Sequence, residues 1–524
     1  MKPVHVNIKN SSVWKKYELA EAELYFAGYC YYNGKRLDNI NELFNGFEPR
    51  QLEALTGDFA FIYLKDSEAI AAVDRKRSIP IFYYYDQANE QWIFTDKISE
   101  PLSPLDDTSI VEMLLTGYVA NERTLLRGVY QIEAGQLVQV KNKNLKKERY
   151  FSFFHSPVNI DLQTASEELQ QVFQSVFSRL YERVKNKNIV IPLSGGYDSR
   201  IIALMLKEFG LENIQAFTYG NINNPEAQVS KSIAERLGLK WTIYPYTREA
   251  WKAWYSSEEW EDYVKYAANY AAIPHLQDWP AVKQFILQNE HDFSVFIPGH
   301  SGDFIAGSHL SYELTLDKKY ELKDITQEVM KKHHRLWMTD DEKALNSVKE
   351  EIVAAIKDFP YETKEEASAL FEYWDWKERQ GKFIINSVRV YEYYGQSWEI
   401  PLWDDEIVQF FLKIPVHLRY KKYLYNYTLY KMFPDYFHEP KMPGHQNVSL
   451  KQKYGILYPF LKKIYNKKRV LLQYYQDPME WFGIQGNYLN YLKNLSFKVN
   501  GTHYYNPYNI NSFLVKDYIK NVKG

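Results

Sequence analysis

The residues with the clearest capacity for chemistry form the hexapeptide SGGYDS at positions 194–199. It follows an apolar run and precedes a helical pattern. Two adjacent glycines let the backbone turn sharply and approach a ligand, because no Cβ atom intervenes. With the two serine hydroxyls and the positive end of the following helix dipole, the turn predicts a pocket for a polyanion. An ordinary turn with an aspartate helix cap is the alternative interpretation of the hexapeptide alone.

Asp198 would repel a polyanion unless a cation lay between them. A divalent ion held by this carboxylate would neutralise phosphate charge, and this predicts Mg²⁺. A second acidic turn, GHSGD at 299–303, ends another apolar run. Asp303 is therefore the second candidate metal ligand, and a solvated turn aspartate is the alternative interpretation.

The elements that must position these turns alternate between strand and helix. Continuous apolar runs predict buried strands at 189–193, 216–220, 241–246 and 293–299, and helices are predicted at 199–209 and about 225–237. This alternation predicts an α/β domain built on a doubly wound parallel sheet, which binds ligands at the carboxyl ends of its strands. We therefore expect the two turns to meet at one edge of the sheet.

Residues 1 to about 150 show a different pattern, in which short apolar or aromatic runs alternate with polar turns. Antiparallel strands are predicted at 59–64, 70–75, 79–85 and 92–96, and a hairpin with NKN as its turn is predicted at 135–151. An amphipathic helix follows, with Thr164 and Glu167 spaced as its capping box. We divide the chain into domains at 1–155 and 160–450 and a C-terminal extension, 451–524, of unknown function.

The composition excludes several classes of function. The formal charge is −2 at pH 7 and the pI is about 6.7, so the chain lacks the basic balance of a nucleic-acid binder. The single cysteine, Cys30, excludes an internal disulfide, and we expect a buried structural thiol. No apolar run approaches the roughly 18 residues of a membrane span. We expect a cytoplasmic protein with neither a nucleic-acid nor a membrane partner.

Aromatic residues make up 17% of the chain. Tyr and Trp bury ring area while keeping a polar atom at the tip, so aromatic cores and domain interfaces are a better explanation than an aromatic substrate platform. Tyr263, Tyr266 and Tyr270 recur at i, i+3 and i+7, and this spacing predicts one helix face packed on a core.

Several segments together resemble the asparagine synthetase family, in which a class II glutamine amidotransferase domain precedes a pyrophosphate-loop synthetase domain. The N-terminal segments are LTGDFAFIYLKD (55–66), AVDRKRSIPIFYYY (72–85), FTDKIS (94–99) and LTGYVANERTLLRGVYQIEAGQ (115–136). The C-terminal segments are IPLSGGYDSR (191–200), AFTYG (216–220), PGHSGDFIAG (298–307) and YYGQSWEIPLWDDE (393–406). The resemblance implies an Ntn-hydrolase-like antiparallel β-sandwich, then an adenine nucleotide alpha hydrolase-like domain with a helical C-terminal extension.

The resemblance also implies ATP and Mg²⁺ as cofactors, with Asp198 and Asp303 as the metal ligands. Lys441, in HEPKMPG, falls where the family has a phosphate-contacting lysine, and a solvated surface lysine is the alternative. The other implied nucleotide-binding positions are Leu193, Ser194, Gly195, Gly196, Ser199, Phe217, Thr218, Tyr219 and Gly299.

Three departures from the family pattern stand out. The family's glutaminase uses a cysteine directly after the initiator methionine, where this chain has Lys2, so we expect a degenerate amidotransferase domain without glutaminase activity. Where typical members have Glu in the second metal loop, this chain has His300, which would accept the amine proton if its pKa were near the usual value of about 6.5. A backbone-bonded turn residue is the alternative for His300. Residues 397–399 are Ser-Trp-Glu where the family usually has Glu-x-Arg.

These observations predict an ATP-dependent amide ligase. It would adenylate the carboxylate of a small molecule or peptide, release pyrophosphate and transfer ammonia or an amine to the acyl group, and a homodimer is a possible assembly. The alternatives are a specialised cyclase or amidating enzyme, of the β-lactam synthetase or lasso peptide macrolactam synthetase type, and a non-catalytic scaffold. RNA thiolation is disfavoured, because the chain lacks cysteine pairs and a basic surface.

Overall fold

The computed structural model describes residues 4–289, 293–443 and 470–523. The strands are β1 (Val4–Asn7), β2 (Trp14–Glu18), β3 (Glu23–Tyr32), β4 (Lys35–Arg36), β5 (Leu55–Lys65), β6 (Glu68–Val73), β7 (Phe82–Asp86), β8 (Gln91–Thr95), β9 (Val129–Gln131), β10 (Gln136–Lys141), β11 (Asn144–Arg149), β12 (Asn188–Pro192), β13 (Ile214–Gly220), β14 (Lys240–Pro245), β15 (Ser294–Phe296), β16 (Met338–Thr339), β17 (Ser397–Trp398), β18 (Ser496–Val499) and β19 (Thr502–Tyr505).

The helices follow the same chain order. They are α1 (Asn41–Phe44), α2 (Asp107–Thr116), α3 (Leu162–Val184), α4 (Tyr197–Glu208), α5 (Pro225–Leu237), α6 (Arg248–Tyr255), α7 (Glu258–Ala268), α8 (Trp279–Gln288), α9 (Gly302–Ile305), α10 (Leu322–His333), α11 (Glu342–Ile356), α12 (Lys364–Asp375), α13 (Arg389–Tyr393), α14 (Asp405–Leu412), α15 (Val416–Arg419), α16 (Tyr423–Met432), α17 (Tyr488–Lys493) and α18 (Ile510–Lys523). A π-helical segment, Trp376–Ile384, continues α12. None of the described helices is both long and apolar enough to cross a lipid bilayer.

The N-terminal part is a sandwich of two sheets. One sheet has the order β11-β10-β6-β5-β3-β2, with β4 beside β3, and the other has the order β1-β8-β7-β9. Strand pairing is antiparallel except between β1 and β8, which run parallel. One core cluster contains Val4, Tyr83 and Phe94 from the smaller sheet and Ala60 and Val138 from the larger, so the two sheets pack face to face. The predicted β-rich region is confirmed, as is the hairpin of β10 and β11.

A parallel sheet with the order β14-β13-β12-β15-β17 forms the centre of the next part. Its strands pair in parallel throughout. The chain runs from β12 outward through β13 to β14, then returns to β15 on the other side of β12. The crevice between β12 and β15 is therefore the topological switch point, where open α/β sheets bind ligands. The predicted doubly wound sheet is confirmed, although the two-residue strand β17 gave no signal in the sequence.

Two local predictions about helices are wrong. Helix α3 begins after Asp161, whose carboxylate accepts hydrogen bonds from the backbone N–H groups of Gln163 and Thr164, so Asp161 and not Thr164 is the cap. Tyr270 does not extend the face of α7, because the helix ends at Ala268 and Tyr270 has a φ of 54°. Helix α5 does end where predicted, at Gly238, which has a φ of 64°.

A buried ionic cluster joins the sandwich to the parallel-sheet domain. The Glu399 carboxylate, just after β17, accepts hydrogen bonds from the Arg183 guanidinium of α3, one of them 2.9 Å long. The Tyr29 hydroxyl of β3 donates to the same carboxylate at 3.3 Å. The side chains of Arg183 and Glu399 are 6% and 8% exposed, so the desolvated charges depend on each other.

The C-terminal part packs back on both domains. The β18–β19 hairpin pairs with β16, α18 packs against α2, and the segment Trp481–Gln485 packs against α6. Residues 470–523 therefore belong to the folded body. Residues 451–469 of the predicted extension lie outside the described residues.

Removing the Glu399 carboxylate should destabilise the protein strongly. Glu399→Ala leaves Arg183 buried without its counter-charge, and breaking a buried pair in this way typically costs about 3–5 kcal/mol. The free energy of unfolding in urea, followed by tryptophan fluorescence, measures the effect. Glu182→Ala, which removes an exposed carboxylate from the same helix, is the matched control and should change little. Equal effects of the two substitutions would contradict the assigned role of the buried pair.

Candidate functional site

The turn after β12 is built around its two serine hydroxyls. The Ser199 hydroxyl oxygen accepts a hydrogen bond from the Ser194 N–H at 3.0 Å, and the Ser194 hydroxyl accepts one from the Gly196 N–H at 3.2 Å. Gly196 caps α4. A Cβ atom on Gly195 would lie 3.3 Å from the Glu226 Cα atom of α5, so a larger residue would press on that helix. The turn thus presents the N-terminus of α4 to the sheet edge.

The turn after β15 packs directly on the first turn. A Cβ atom on Gly299 would lie 2.9 Å from the Ser199 nitrogen and 3.1 Å from the Asp198 Cβ atom. A Cβ atom on Gly302 would lie 3.3 Å from the Asp198 Cγ atom and 2.9 Å from the Leu402 Cδ1 atom. Gly299 is needed because the backbone of Ser199 approaches too closely for a Cβ atom, whereas at Gly302 the crowding comes from the side chains of Leu402 and Asp198. The expected meeting of the two turns at the carboxyl edge is confirmed.

This packing brings the Asp198 and Asp303 carboxylates into one site. The Asp303 N–H donates to Asp198 Oδ2 at 2.9 Å, and the Tyr425 hydroxyl donates to Asp198 Oδ1 at 3.0 Å. The Lys422 Nζ atom lies 3.9 Å from the same oxygen. Burial raises the pKa of Asp198 to about 6; Lys422 opposes this rise, and the negative charge of Asp303 adds to it.

Basic side chains surround Asp303. Burial would raise the pKa of Asp303, but the His309 imidazole and the charges of Lys422 and Arg379 hold it below its ordinary value. The His309 Nε2 atom lies 3.6 Å from Asp303 Oδ2, and its Nδ1 atom is hydrogen-bonded to the fully buried Asp375. Asp303 is therefore ionised at neutral pH and held in place through His309.

This arrangement fits Mg²⁺ bound together with a nucleotide. No group of three or more His, Cys, Asp or Glu side chains in the described ranges could hold a metal by itself. Mg²⁺ is usually bound by one or two carboxylates, with substrate phosphate oxygens and water completing its six ligands. Two mutually repelling carboxylates beside a helix N-terminus match that donor set, since a bound cation would relieve the repulsion.

The positions predicted to flank adenosine lie partly in the hydrophobic core and partly at the edge of the parallel sheet. Leu193 and Phe217 are each only 1% exposed, so contact with a ligand from these positions is limited to the backbone. The Thr218 hydroxyl donates to the Leu193 carbonyl oxygen at 2.5 Å and fixes the end of β12 against β13. Tyr219, at the end of β13, stacks on Tyr246 with ring centroids 5.5 Å apart.

The outcome differs for the two predicted catalytic residues, His300 and Lys441. Burial lowers the pKa of His300 to about 4, so the ring is neutral but too weak a base for the predicted role. Lys441 is exposed. Its phosphate contact stays a prediction.

Sequence reasoning missed Lys422, Tyr425 and His309. Lys422 and Tyr425 lie in a stretch so rich in Tyr and Lys that no position stands out. Only the fold, which brings the start of α16 over Asp198, distinguishes them. His309 had a weak signal, because it follows the second acidic turn by six residues.

An asparagine synthase family model matches residues 170–479, more than half of the chain. No curated protein matches the chain. Among solved structures, NMN synthetase from Francisella tularensis is 17% identical, over 28% of this chain and 59% of that chain, with a TM-score of 0.20. The NH3-dependent NAD synthetase from Campylobacter jejuni subsp. jejuni NCTC 11168 is 16% identical, over 28% of this chain and 61% of that chain, with a TM-score of 0.20.

Glutamine phosphoribosylpyrophosphate amidotransferase from B. subtilis is 13% identical, over 46% of this chain and 74% of that chain, with a TM-score of 0.19. The chain spans about three-fifths of the length of the two synthetases. With identities and TM-scores this low, these likenesses carry no argument about the site.

Asp198→Asn should stabilise the metal-free protein at neutral pH but not in acid. The folded-state pKa of Asp198, about 6, exceeds the ordinary value of 3.8, so ionisation costs folding free energy and the wild type loses stability as the pH rises from 3.8 through about 6. The variant escapes this penalty, which is at most about 3 kcal/mol. Urea unfolding at about pH 3.5, below both pKa values, and at pH 8, with EDTA present, measures the difference.

The matched control is Asp358→Asn, at an exposed position, which should not change the pH dependence. If Asp198→Asn were equally stabilising at both pH values, or destabilising at pH 8, the proposed electrostatic cost would be refuted.

Proposed function

Because the chain belongs to the asparagine synthase family, we propose that it is an ATP-dependent ligase that joins nitrogen to a carboxyl group through an acyl-adenylate. The observation that carries this proposal is the direct contact of the two acidic turns at the switch point of the parallel sheet. A site without a polyanionic ligand would gain nothing from holding two acidic side chains together at a helix N-terminus, where the Asp198 side chain is only 17% exposed.

The first half-reaction needs positioning and charge neutralisation. The substrate carboxylate oxygen attacks the α-phosphorus of ATP, a new oxygen–phosphorus bond forms, and the bond to pyrophosphate breaks. The turn with Ser194 and Ser199 would hold the pyrophosphate part, and Lys422 would offset its developing charge. Mg²⁺, when held by Asp198 and Asp303, would neutralise the phosphate oxygens.

In the second half-reaction a nitrogen nucleophile displaces AMP from the acyl carbon. We propose free ammonia or a substrate amine as the nucleophile. Cys30 is buried, and burial raises the pKa of its thiol to about 12, so it would not act as a nucleophile at neutral pH. Lys2, where the family has its reactive cysteine, lies outside the described residues. The sandwich would then be a degenerate amidotransferase domain that supports the ligase domain.

The segment around β17 favours an acid other than aspartate. Where the family usually has Glu-x-Arg, Ser397 and Trp398 form β17, and Glu399 is buried against Arg183. A carboxylate already neutralised by a buried guanidinium is not free to recognise the ammonium group of an amino acid. This observation supports the alternative of a specialised amidating enzyme or cyclase that acts on a different acid. A homodimer stays a prediction.

ATP–pyrophosphate exchange tests the proposal. With a panel of carboxylic acids, exchange should appear only with the true acid, and Asp198→Asn should reduce its rate by about 100-fold or more. Asp358→Asn is the control and should leave the rate unchanged. Formation of ADP in place of AMP, or exchange that survives in Asp198→Asn, would refute the adenylation route.

Glutamine should not serve as the nitrogen donor. With the acid found by exchange, ammonium or the substrate amine should support amide formation, whereas glutamine should release no glutamate above background, because the sole thiol is buried. Cys30→Ser is the matched variant and should leave amide formation intact. Glutamate release that disappears in Cys30→Ser would show that the sandwich retains glutaminase activity.

A further inference from the structure

An Asp–His pair that the proposed mechanism does not use lies in the loop between α7 and α8. The His275 Nδ1 atom is 3.0 Å from Asp278 Oδ1, and Asp278 is only 3% exposed. The same loop lies over the carboxyl ends of β13 and β14: the Tyr246 hydroxyl donates to the Gln277 carbonyl oxygen at 2.7 Å. The Gln277 side chain also bonds the Tyr219 hydroxyl. The pair thus belongs to the edge of the sheet that carries both acidic turns.

The pair faces the second of those turns. The His275 and His300 ring centroids are 6.4 Å apart in an edge-to-face arrangement. His300 directly follows Gly299, which contacts Asp198. The His300 Nε2 atom is inaccessible to solvent and has no hydrogen-bond partner among the described residues. The His275 side chain is 17% exposed, so the ring is not sealed from solvent.

The contact with Asp278 determines which nitrogen of the His275 ring carries the hydrogen. A carboxylate can only accept a hydrogen bond, so the Nδ1 atom that faces Asp278 carries the hydrogen. The Nε2 atom then presents its lone pair and can accept a proton. A buried carboxylate on Nδ1 holds this tautomer and fixes the orientation of the ring. His300, with its pKa lowered to about 4 by burial, offers no such capacity.

We propose that His275, oriented by Asp278, accepts the proton of the attacking nitrogen in the second half-reaction. This inference rests on the proposed ligase function. The nitrogen lone pair forms the bond to the acyl carbon, the bond from that carbon to the AMP oxygen breaks, and its electron pair leaves with AMP. The proton released by the nitrogen goes to His275 Nε2 and then to solvent. Asp278 is a positioning residue.

His275→Gln separates the two half-reactions. We expect ATP–pyrophosphate exchange to stay within about 3-fold of the wild type, while amide formation falls by about 100-fold or more, the usual contribution of a general base. His503→Gln, at an exposed histidine, is the matched control and should change neither rate. Unchanged amide formation in His275→Gln, or an equal loss of exchange and amide formation, would overturn the assignment.

Asp278→Asn tests the pair as a unit. The groups that face His275 are Asp278, His300 and Tyr263, whose hydroxyl donates to the His275 carbonyl oxygen. Asp278→Asn should slow amide formation, shift the acidic limb of its pH–rate profile, and add little to His275→Gln in the double variant. Additive losses would overturn the pairing. If the wild type shows no exchange with any acid, the ligase function itself fails, which the histidine variants alone would not show.

Discussion

The contact between two acidic turns is the constraint on which the rest of the site depends. Gly299 and Gly302 allow the turns to approach closely enough that the Asp303 backbone N–H bonds the Asp198 carboxylate. Burial of the Asp198 carboxylate is the main cause of its raised pKa, and the negative charge of Asp303 adds to the rise. Lys422 offsets part of it, and a bound cation would offset more. Strain of this electrostatic kind is typical of a site built for a ligand that the protein alone does not supply.

The sequence predicted the structure best where a single strand and the turn after it determine the position of a site residue. Apolar runs predicted β12, β13, β14 and β15 because strands of a parallel sheet are buried on both faces. The glycines of both turns then placed Asp198 and Asp303 at one edge, since parallel strands share that edge. These inferences needed only local pattern and topology, and the structure confirms the meeting of the turns.

Prediction failed where the outcome depended on distant packing. The ordinary pKa expected for His300 ignored burial, which only the folded chain can supply. Lys422 and Tyr425 reach Asp198 from more than 220 residues away, and no spacing rule connects such positions. His275 and Asp278 are close in sequence, but a histidine three residues before an aspartate is too common to signal a pair. The cap of α3 was misplaced because Asp161 and Thr164 are both good caps, and only the backbone decides between them.

The sandwich supports the candidate site through its interface with the parallel-sheet domain. The Gly57 N–H donates to the Asp405 carboxylate at 2.9 Å, and the buried Lys76 ammonium donates to the Trp403 carbonyl oxygen at 3.0 Å. These bonds hold the segment after β17 in place, and Leu402 of this segment packs on the Gly302 turn. Loss of the sandwich would leave buried charges unpaired and free the segment that supports the Asp303 turn. The N-terminal domain therefore contributes to the candidate ligase site mechanically, through the backbone it holds in place.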